Sequence, residues 1–265
     1  MPELKTQEEH FEYMKSFAGV SFYFARRWLV PRFPERKIGE LIRDHTPILY
    51  HGLNYAPGIW NTDPDCRRIM DTADRLAELP PNEFEESMWH EIEELTAKRA
   101  ELNYPTAVGV AAPASWNCGS LKYDPPNGKL PEGWVTFHIA NAVGPHSIFD
   151  DPDYLAWCFL LLMKESEIRY GANVLFTSTW LNENTKFLHF FPQEWLDNMA
   201  PRPEDHPIPC WHFGWWGQLI TARGTINPKM DKFVRENGHL KYACRSSHCS
   251  FENMRRNLKE NILKS

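Results

Sequence analysis

The stretch 209–227, PCWHFGWWGQLITARGTIN, places polar side chains among aromatic rings, a combination that is typical of small-molecule sites. His212 carries an imidazole that can take up or release a proton near neutral pH. Gln218 supplies an amide, and Arg223 supplies a guanidinium that binds a carboxylate or a phosphate through two hydrogen bonds. Trp216 offers a ring against which a substrate can pack. The stretch therefore predicts a pocket in which His212 is catalytic and the other three side chains hold the substrate.

Two glycines distinguish this stretch from an ordinary core helix. If 211–222 is helical, Gly214 and Gly217 each cost about 1 kcal/mol of helix stability relative to alanine. Close approach of a ligand or of a neighbouring element to the backbone would compensate for that cost. The structural alternative stays open, because aromatic residues at helical spacing are more often core than site, and Arg223 would then form a surface ion pair.

A second candidate for acid–base catalysis is His138, which lies inside the apolar segment 134–140. Strand ends and the loops after them carry reactive groups in α/β architectures, and Asp150 follows in such a loop. A carboxylate beside an imidazole fixes the tautomer of the ring. We therefore expect His138 and His212 to act as acid and base, with Asp150 or a backbone carbonyl orienting one of them. In the alternative, His138 is a hydrogen-bonded core residue, and the neighbouring Asp151 only caps a helix that begins at the next proline.

Three further residues are candidates for holding the polar groups of a ligand. Trp180 and Asn182 lie at the end of the segment 173–181, where an indole and a carboxamide suit a polyhydroxylated or carboxylated ligand. Arg245, in the segment CRSSHCS, is a second candidate for an anion contact. In the structural alternatives, Asn182 forms an Asx turn or a helix cap, and Arg245 pairs with an acidic residue.

Cysteine and histidine side chains could instead hold zinc, which binds sulfur and nitrogen ligands. The candidate ligands fall in two groups along the chain: His206, Cys210 and His212, and Cys244, His248 and Cys249. Their spacings do not match a common zinc module, and free cysteine is often simply buried. The favoured hypothesis therefore includes no metal and no other cofactor.

The elements that must position these residues are mainly helices. Apolar side chains recur near a 3.6-residue period over 8–29, and further helices follow in the first hundred residues. The middle is rich in Gly, Pro, Asn and β-branched residues, and predicts strands near 134–140 and 173–181 around a helix over 152–170. Strand, helix and strand in this order could form a βαβ unit. The last segment, from 246 onward, returns to helix.

The predicted fold is α+β and predominantly helical, with a helical N-terminal part, a small central β element and a helical C-terminal part. A chain of 265 residues is near the upper limit for one domain, and we expect a single compact domain over 1–265. The alternative is two sub-lobes, a helical one over 1–104 and a mixed, site-bearing one over 105–265.

Composition and charge weigh against several classes of partner. The net charge is −6, which disfavours binding to nucleic acid and to anionic membranes, since both attract basic surfaces. The longest apolar run, 154–163, is shorter than the roughly 20 residues that cross a bilayer, and the first residues lack the apolar stretch of a secretory signal. We therefore expect a cytoplasmic protein with mostly reduced cysteines. A homo-oligomer is compatible with this composition.

The favoured hypothesis is an enzyme without a nucleotide cofactor, because the chain contains no P-loop and no GxGxxG, GxSxG, HExxH or CxxC motif. It would act on a small organic substrate in an aromatic-lined pocket by proton transfer, as in elimination, hydration, isomerisation or cyclisation. The alternatives are a zinc-dependent hydrolase or lyase, and a non-catalytic module that binds a small molecule or a carbohydrate.

Overall fold

The computed structural model describes residues 6–108 and 117–263. These residues divide into two compact units. The helical unit contains 6–108 and 205–241, and the sheet unit contains 117–204 and 242–263. The single domain expected over 1–265 stays a prediction.

The order of elements confirms an α+β, predominantly helical fold with a small mixed sheet in the middle and helices at both ends. In the described residues the α-helices are α1 (Gln7–Phe24), α2 (Ile38–His45), α3 (Pro64–Arg75), α4 (Pro81–Val108), α5 (Pro152–Tyr170), α6 (Thr185–Leu188), α7 (Gln193–Asp197), α8 (Phe213–Trp216), α9 (Pro228–Asn237) and α10 (Phe251–Asn257). The strands are β1 (Asn117–Cys118), β2 (Leu121–Tyr123), β3 (Trp134–Ile139), β4 (Val174–Thr179) and β5 (Arg245–Ser250). None of these helices is long and apolar enough to span a membrane.

Several helix ends lie where side-chain caps were expected. Asp63 accepts hydrogen bonds from the first turn of α3, and Asp151 accepts one from the backbone N–H of Tyr154 in α5. These bonds satisfy N–H groups that have no partner within the helix. Gly171 ends α5 in the left-handed conformation, with φ of 65°, as expected for a glycine after a helix. The structural interpretation of Asp151 is confirmed.

Two helix boundaries in the helical unit differ from the sequence-based expectation. From the sequence, Asn82 is the expected cap of the fourth helix. α4 begins instead at Pro81, because a proline is preorganised for the first helical position and leaves Asn82 inside the first turn. The helix considered over 211–222 is also much shorter. A single α-helical turn, α8, is followed by a 3₁₀ turn over Gly217–Leu219, and Ile220 is extended. Two glycines within four residues disfavour a longer helix.

The sheet unit contains the predicted βαβ unit. The strand order is β1-β2-β3-β4-β5, and β3 and β4 are parallel neighbours connected through α5, while the other neighbours are antiparallel. β3 and β4 lie within the predicted segments 134–140 and 173–181. The prediction of a βαβ unit is therefore confirmed, and it places both strands centrally in the sheet.

The strand β5 was not predicted. We expected 246–250 to begin the last helix, but it pairs with β4 over six residues, from Arg245 opposite Thr179 to Ser250 opposite Val174. The helix expectation for 246–250 is wrong because serine has no strong local preference and the ladder of β4 decides the conformation. The last helix, α10, begins only at Phe251.

Gly238, which follows the end of α9, combines a left-handed backbone with close packing against a neighbouring ring. Gly238 has φ of 71°, and a Cβ atom added there would lie 2.5 Å from a ring carbon of Trp28. Gly171 has nearly the same backbone angle, φ of 65°, but nothing lies within 4 Å of its Cβ position. We expect Gly171→Ala to lower the free energy of unfolding by about 1 kcal/mol, from the left-handed backbone alone. Gly238→Ala should lower it by about 3 kcal/mol, since overpacking adds to that cost.

The measurement is urea unfolding of both variants beside the wild-type chain, followed by tryptophan fluorescence and far-UV circular dichroism. Gly171→Ala is the matched control, because it changes the same backbone conformation without a steric contact. Equal losses for the two variants would mean that Trp28 does not pack against Gly238.

Candidate functional site

One face of the sheet in the sheet unit packs into the core, and the other carries polar and aromatic side chains. Burial alternates along β3, where Val135 and Phe137 are buried in the core that α5 covers, whereas the residues between them are half-buried. We call the face that carries the polar and aromatic side chains the outer sheet face. Its residues are Lys122, Asp124, Trp134, Thr136, His138, Phe176, Ser178, Ser246 and His248. All are half-buried except Ser178, which is exposed. The expected position of His138, on the face opposite Phe137, is confirmed.

The register of the strands arranges eight of these side chains in two rows, and Trp134 lies two residues along β3 from Thr136, in a further row. Lys122 lies opposite His138, and Ser178 lies opposite Ser246 on the next pair of strands. The second row contains Thr136, Phe176 and His248, which are paired directly with one another. The backbone N–H of Asp124 donates to the carbonyl of Thr136, so Asp124 begins this second row, diagonal to His138.

His138 and Asp124 form a hydrogen-bonded pair. Nε2 of His138 lies 2.7 Å from Oδ2 of Asp124, and the two side chains are 35% and 47% exposed. In the neutral ring this bond assigns the proton to Nε2, because the carboxylate can only accept. Nδ1 then carries the lone pair and is the atom that can receive a proton from a substrate. The pair is both oriented and accessible to solvent.

The carboxylate in this pair is not the expected one. Asp150 lies in the loop before α5, where its Oδ2 accepts a hydrogen bond of 2.9 Å from the backbone N–H of Ser147. Asp124 comes 14 residues before His138 in the chain, at the start of DPPNGKLPEG, which the sequence predicts to be a surface turn. The signal that could have found it is the hairpin itself. A strand before DPPNGKLPEG would pair antiparallel with 134–140 and bring Asp124 within reach of His138, diagonally across the hairpin.

Three rings lie together beside this pair on the outer sheet face. The ring centroids of Trp134 and His248 are 4.4 Å apart with an interplanar angle of 34°, and those of Trp134 and Phe176 are 5.9 Å apart with an angle of 42°. These rings come from three adjacent strands and remain half-buried. A flat apolar ligand could pack against them, since aromatic faces and edges attract one another beyond their buried area.

Asn182 and Arg245 lie together, but their hydrogen bonds stabilise the fold of the sheet unit. Asn182 is fully buried, and its Nδ2 donates to the carbonyl of Arg245 at 2.7 Å while its Oδ1 accepts from the indole of Trp195 at 3.0 Å. The guanidinium of Arg245 donates through Nε to the carbonyl of Ala200 at 2.7 Å. Trp180 stacks on Tyr242 with ring centroids 5.9 Å apart. The amide of Asn182 therefore holds β5 in place.

Three predicted substrate-binding residues of the helical unit also have structural contacts. Trp216 is fully buried and donates through its indole to the carbonyl of Cys210 at 2.8 Å. The amide of Gln218 is buried and donates to the carbonyl of Trp215 at 3.0 Å. Arg223 forms an ion pair with Glu9, in which Nε lies 2.9 Å and Nη2 lies 2.8 Å from Oε1. A backbone hydrogen bond from Thr6 and the bond from Arg223 lower the pKa of Glu9.

His212 lies in an aromatic cluster of the helical unit. The ring of Trp211 lies 5.4 Å from that of His212 and 5.2 Å from that of Tyr50. His51 lies next to Tyr50, and burial together with the charge of His212 lowers the pKa of His51 to about 3. His51 is therefore neutral at physiological pH. In the neutral ring of His212, Nδ1 accepts a hydrogen bond of 3.1 Å from the backbone N–H of Gly214, and the proton lies on Nε2.

Six cysteine and histidine side chains are candidate zinc ligands from the sequence. Over residues 6–108 and 117–263, no group of three or more His, Cys, Asp or Glu side chains is placed to hold a metal ion. Cys249 is buried in the core of the sheet unit, and burial raises the pKa of its thiol. His248 belongs to the ring cluster with Trp134, and His206 stacks on His239 with ring centroids 3.5 Å apart. The zinc hypothesis stays a prediction of the sequence.

The predicted site residues divide between the units. The sheet unit contains His138, Asp150, Trp180, Asn182 and Arg245, and the helical unit contains His212, Trp216, Gln218 and Arg223. Of the residues expected to be catalytic, His138 is hydrogen-bonded to a carboxylate, that of Asp124. None of the family models, curated protein sequences or solved structures with which the chain was compared matches it.

Proposed function

We propose that the protein is an enzyme that moves protons on a small organic molecule bound at the outer sheet face. His138 is the general base and then the general acid, and Asp124 is a positioning residue. The observation that carries this proposal is the 2.7 Å bond between Nε2 of His138 and Asp124 in a place that solvent can reach. A histidine buried for packing alone would lie on the other face of β3, among Val135 and Phe137.

The chemistry follows from the two ring nitrogens of His138. Nδ1 takes a proton from an acidic C–H or from an attacking water, and the ring becomes an imidazolium that Asp124 stabilises through Nε2. The proton then returns to a neighbouring atom of the same substrate, which completes an isomerisation, an elimination, a hydration or a cyclisation. A positioned acid–base group of this kind typically contributes about 10²–10⁴-fold to the rate.

The cysteines support the expected cytoplasmic location. Cys66, Cys118, Cys158 and Cys249 are buried free thiols. Free thiols are typical of proteins in reducing compartments. We therefore include cytoplasmic location in the proposal.

The test is proton exchange at carbon in D₂O. A panel of ketones, 2-oxo acids and β-keto acids is incubated with the protein, and loss of the acidic C–H signals is followed by ¹H NMR. For a substrate that the wild type exchanges, we expect His138→Gln to slow exchange by about 10²–10⁴-fold. Asp124→Asn should also slow it, because the amide no longer fixes the tautomer of His138.

His146→Gln is the matched control, since His146 is an exposed histidine of the same unit. It should exchange protons at the wild-type rate. Unchanged exchange in His138→Gln would contradict the proposal. A ligand that binds at the outer sheet face and never exchanges protons would instead support the non-catalytic binding module.

A further inference from the structure

The outer sheet face carries a cation that the proposed catalytic pair does not use. Lys122 is half-buried and lies directly opposite His138 in the register of β2 and β3. Over residues 6–108 and 117–263 its ammonium makes no ion pair. The carboxylate on the same strand face, Asp124, is bonded instead to His138. A partly desolvated cation beside a proposed base favours an anionic group on the substrate.

The rings lie diagonally across the outer sheet face from this lysine. Phe176 of β4 and His248 of β5 lie two residues along the sheet from the level of Lys122 and His138, and Trp134 lies on β3 itself, four residues from His138. Two strand spacings of about 4.8 Å and two residues of about 3.3 Å each place the backbone of Phe176 about 12 Å from that of Lys122. A lysine side chain covers part of that span. The part of the span that the lysine side chain does not cover is long enough for a ring, one or two linking carbons and a carboxylate. The linking carbons would then lie above β3 and near His138.

We propose that the substrate is a flat aromatic ring joined to a carboxylate through an acidic carbon, the simplest case being an aryl-substituted 2-oxo acid. This inference rests on the proposed function and adds the identity of the substrate class. The ring packs on Trp134 and Phe176, and the carboxylate pairs with Lys122. Nδ1 of His138 takes a proton from the carbon between ring and carbonyl, the C–H electrons form the C=C bond, and the carbonyl oxygen receives the proton. The product is the enol, and no oxidant or reductant is needed.

Binding of inert probes tests the substrate class without requiring catalysis. The probe is 2-naphthylacetate, and its neutral partner is 2-naphthylacetamide, with cyclohexylacetate as the non-aromatic acid. Affinities are measured from ¹H–¹⁵N chemical-shift changes of the sheet unit. We expect 2-naphthylacetate to bind about tenfold more tightly than either of the other two probes, because one charge-assisted hydrogen bond or one stacked ring provides about that gain in affinity.

Lys122→Met removes the charge and keeps most of the side-chain length. It should weaken binding of 2-naphthylacetate by about tenfold and leave the amide unchanged, and Lys122→Arg should restore the preference for the acid. Lys129→Met is the matched control, because Lys129 is an exposed lysine of the same unit and should have no effect. Trp134→Leu should weaken both aromatic probes equally.

The possible outcomes separate the two proposals. If the acid and the amide bind equally, if Lys122→Met and Lys129→Met have the same effect, or if no probe binds, the substrate class is wrong. Proton exchange on some other compound that depends on His138 would then leave the proposed function standing. If the probes bind as expected and phenylpyruvate shows no exchange that depends on His138, the ligand class is supported and the proposed function is wrong.

Discussion

Trp195→Ala is expected to cause one of the largest losses of stability in the sheet unit, about 5 kcal/mol of unfolding free energy. The indole of Trp195 is fully buried and stacks on Phe191 with ring centroids 4.1 Å apart. Truncation of a buried tryptophan typically costs about 3–5 kcal/mol, because it leaves a cavity. It also removes the donor to Oδ1 of Asn182, and a buried polar atom without its partner costs about 1–3 kcal/mol more.

The consequence extends to the candidate site. Asn182 holds the carbonyl of Arg245 at the start of β5, and β5 supplies His248 to the outer sheet face. Once Asn182 loses its contact with Trp195, we expect β5 to become less protected at that end. Native-state amide hydrogen exchange should therefore show faster exchange at 245–247 than at β3.

Trp195→Phe separates the two contributions. It fills most of the cavity but cannot donate to Asn182, so the expected loss is about 2 kcal/mol, close to the cost of the hydrogen bond alone. Urea unfolding followed by far-UV circular dichroism measures both variants. If Trp195→Phe were as destabilising as Trp195→Ala, the hydrogen bond to Asn182 would account for the whole effect and the cavity argument would be wrong.

The parts of the fold that could be predicted from sequence are those with strong local signals. α3 and α5 each have an acidic cap and a proline in the first turn, so their starts follow from local chemistry. β1, β2 and β5 lack such signals. β2 is three residues long, and half of the residues of RSSHCS in β5 are serine, so these segments become strands only because a neighbouring strand accepts their hydrogen bonds.

The candidate site shows the same division. His138 could be predicted because a polar residue interrupts an apolar strand, and its face follows from alternation alone. Its partner Asp124 could not be predicted without β2, since pairing across the hairpin sets their distance. The stretch 209–227 contains three tryptophans, at positions 211, 215 and 216. Trp216 packs into the core against Phe24, at 5.3 Å between ring centroids, as a structural interpretation of that stretch anticipates.

The second large effect is expected in the helical unit, where Arg235 connects α9 to α4. Its guanidinium binds Glu85 of α4 through two bonds, of 2.6 and 2.8 Å, and Asp231 through a third of 2.9 Å. The side chains of Arg235 and Glu85 are only 26% and 24% exposed. Gly19 of α1 allows this approach, because a Cβ atom there would lie 2.6 Å from Oε1 of Glu85.

Arg235→Met should lower the unfolding free energy of the helical unit by about 4 kcal/mol, since it leaves two carboxylates partly buried without their cation. Much of that loss is the cost of the unpaired charge of Glu85. We therefore expect Arg235→Met to be less damaging when Glu85→Gln is also present, with the double variant at least 1 kcal/mol more stable than the sum of the single losses predicts. Urea unfolding of the four proteins measures this coupling. Losses that add within about 0.5 kcal/mol would show that Arg235 and Glu85 act independently. The unfolding free energy of Arg235→Lys, which keeps the charge but not the paired bonds, should lie between those of Arg235→Met and the wild type.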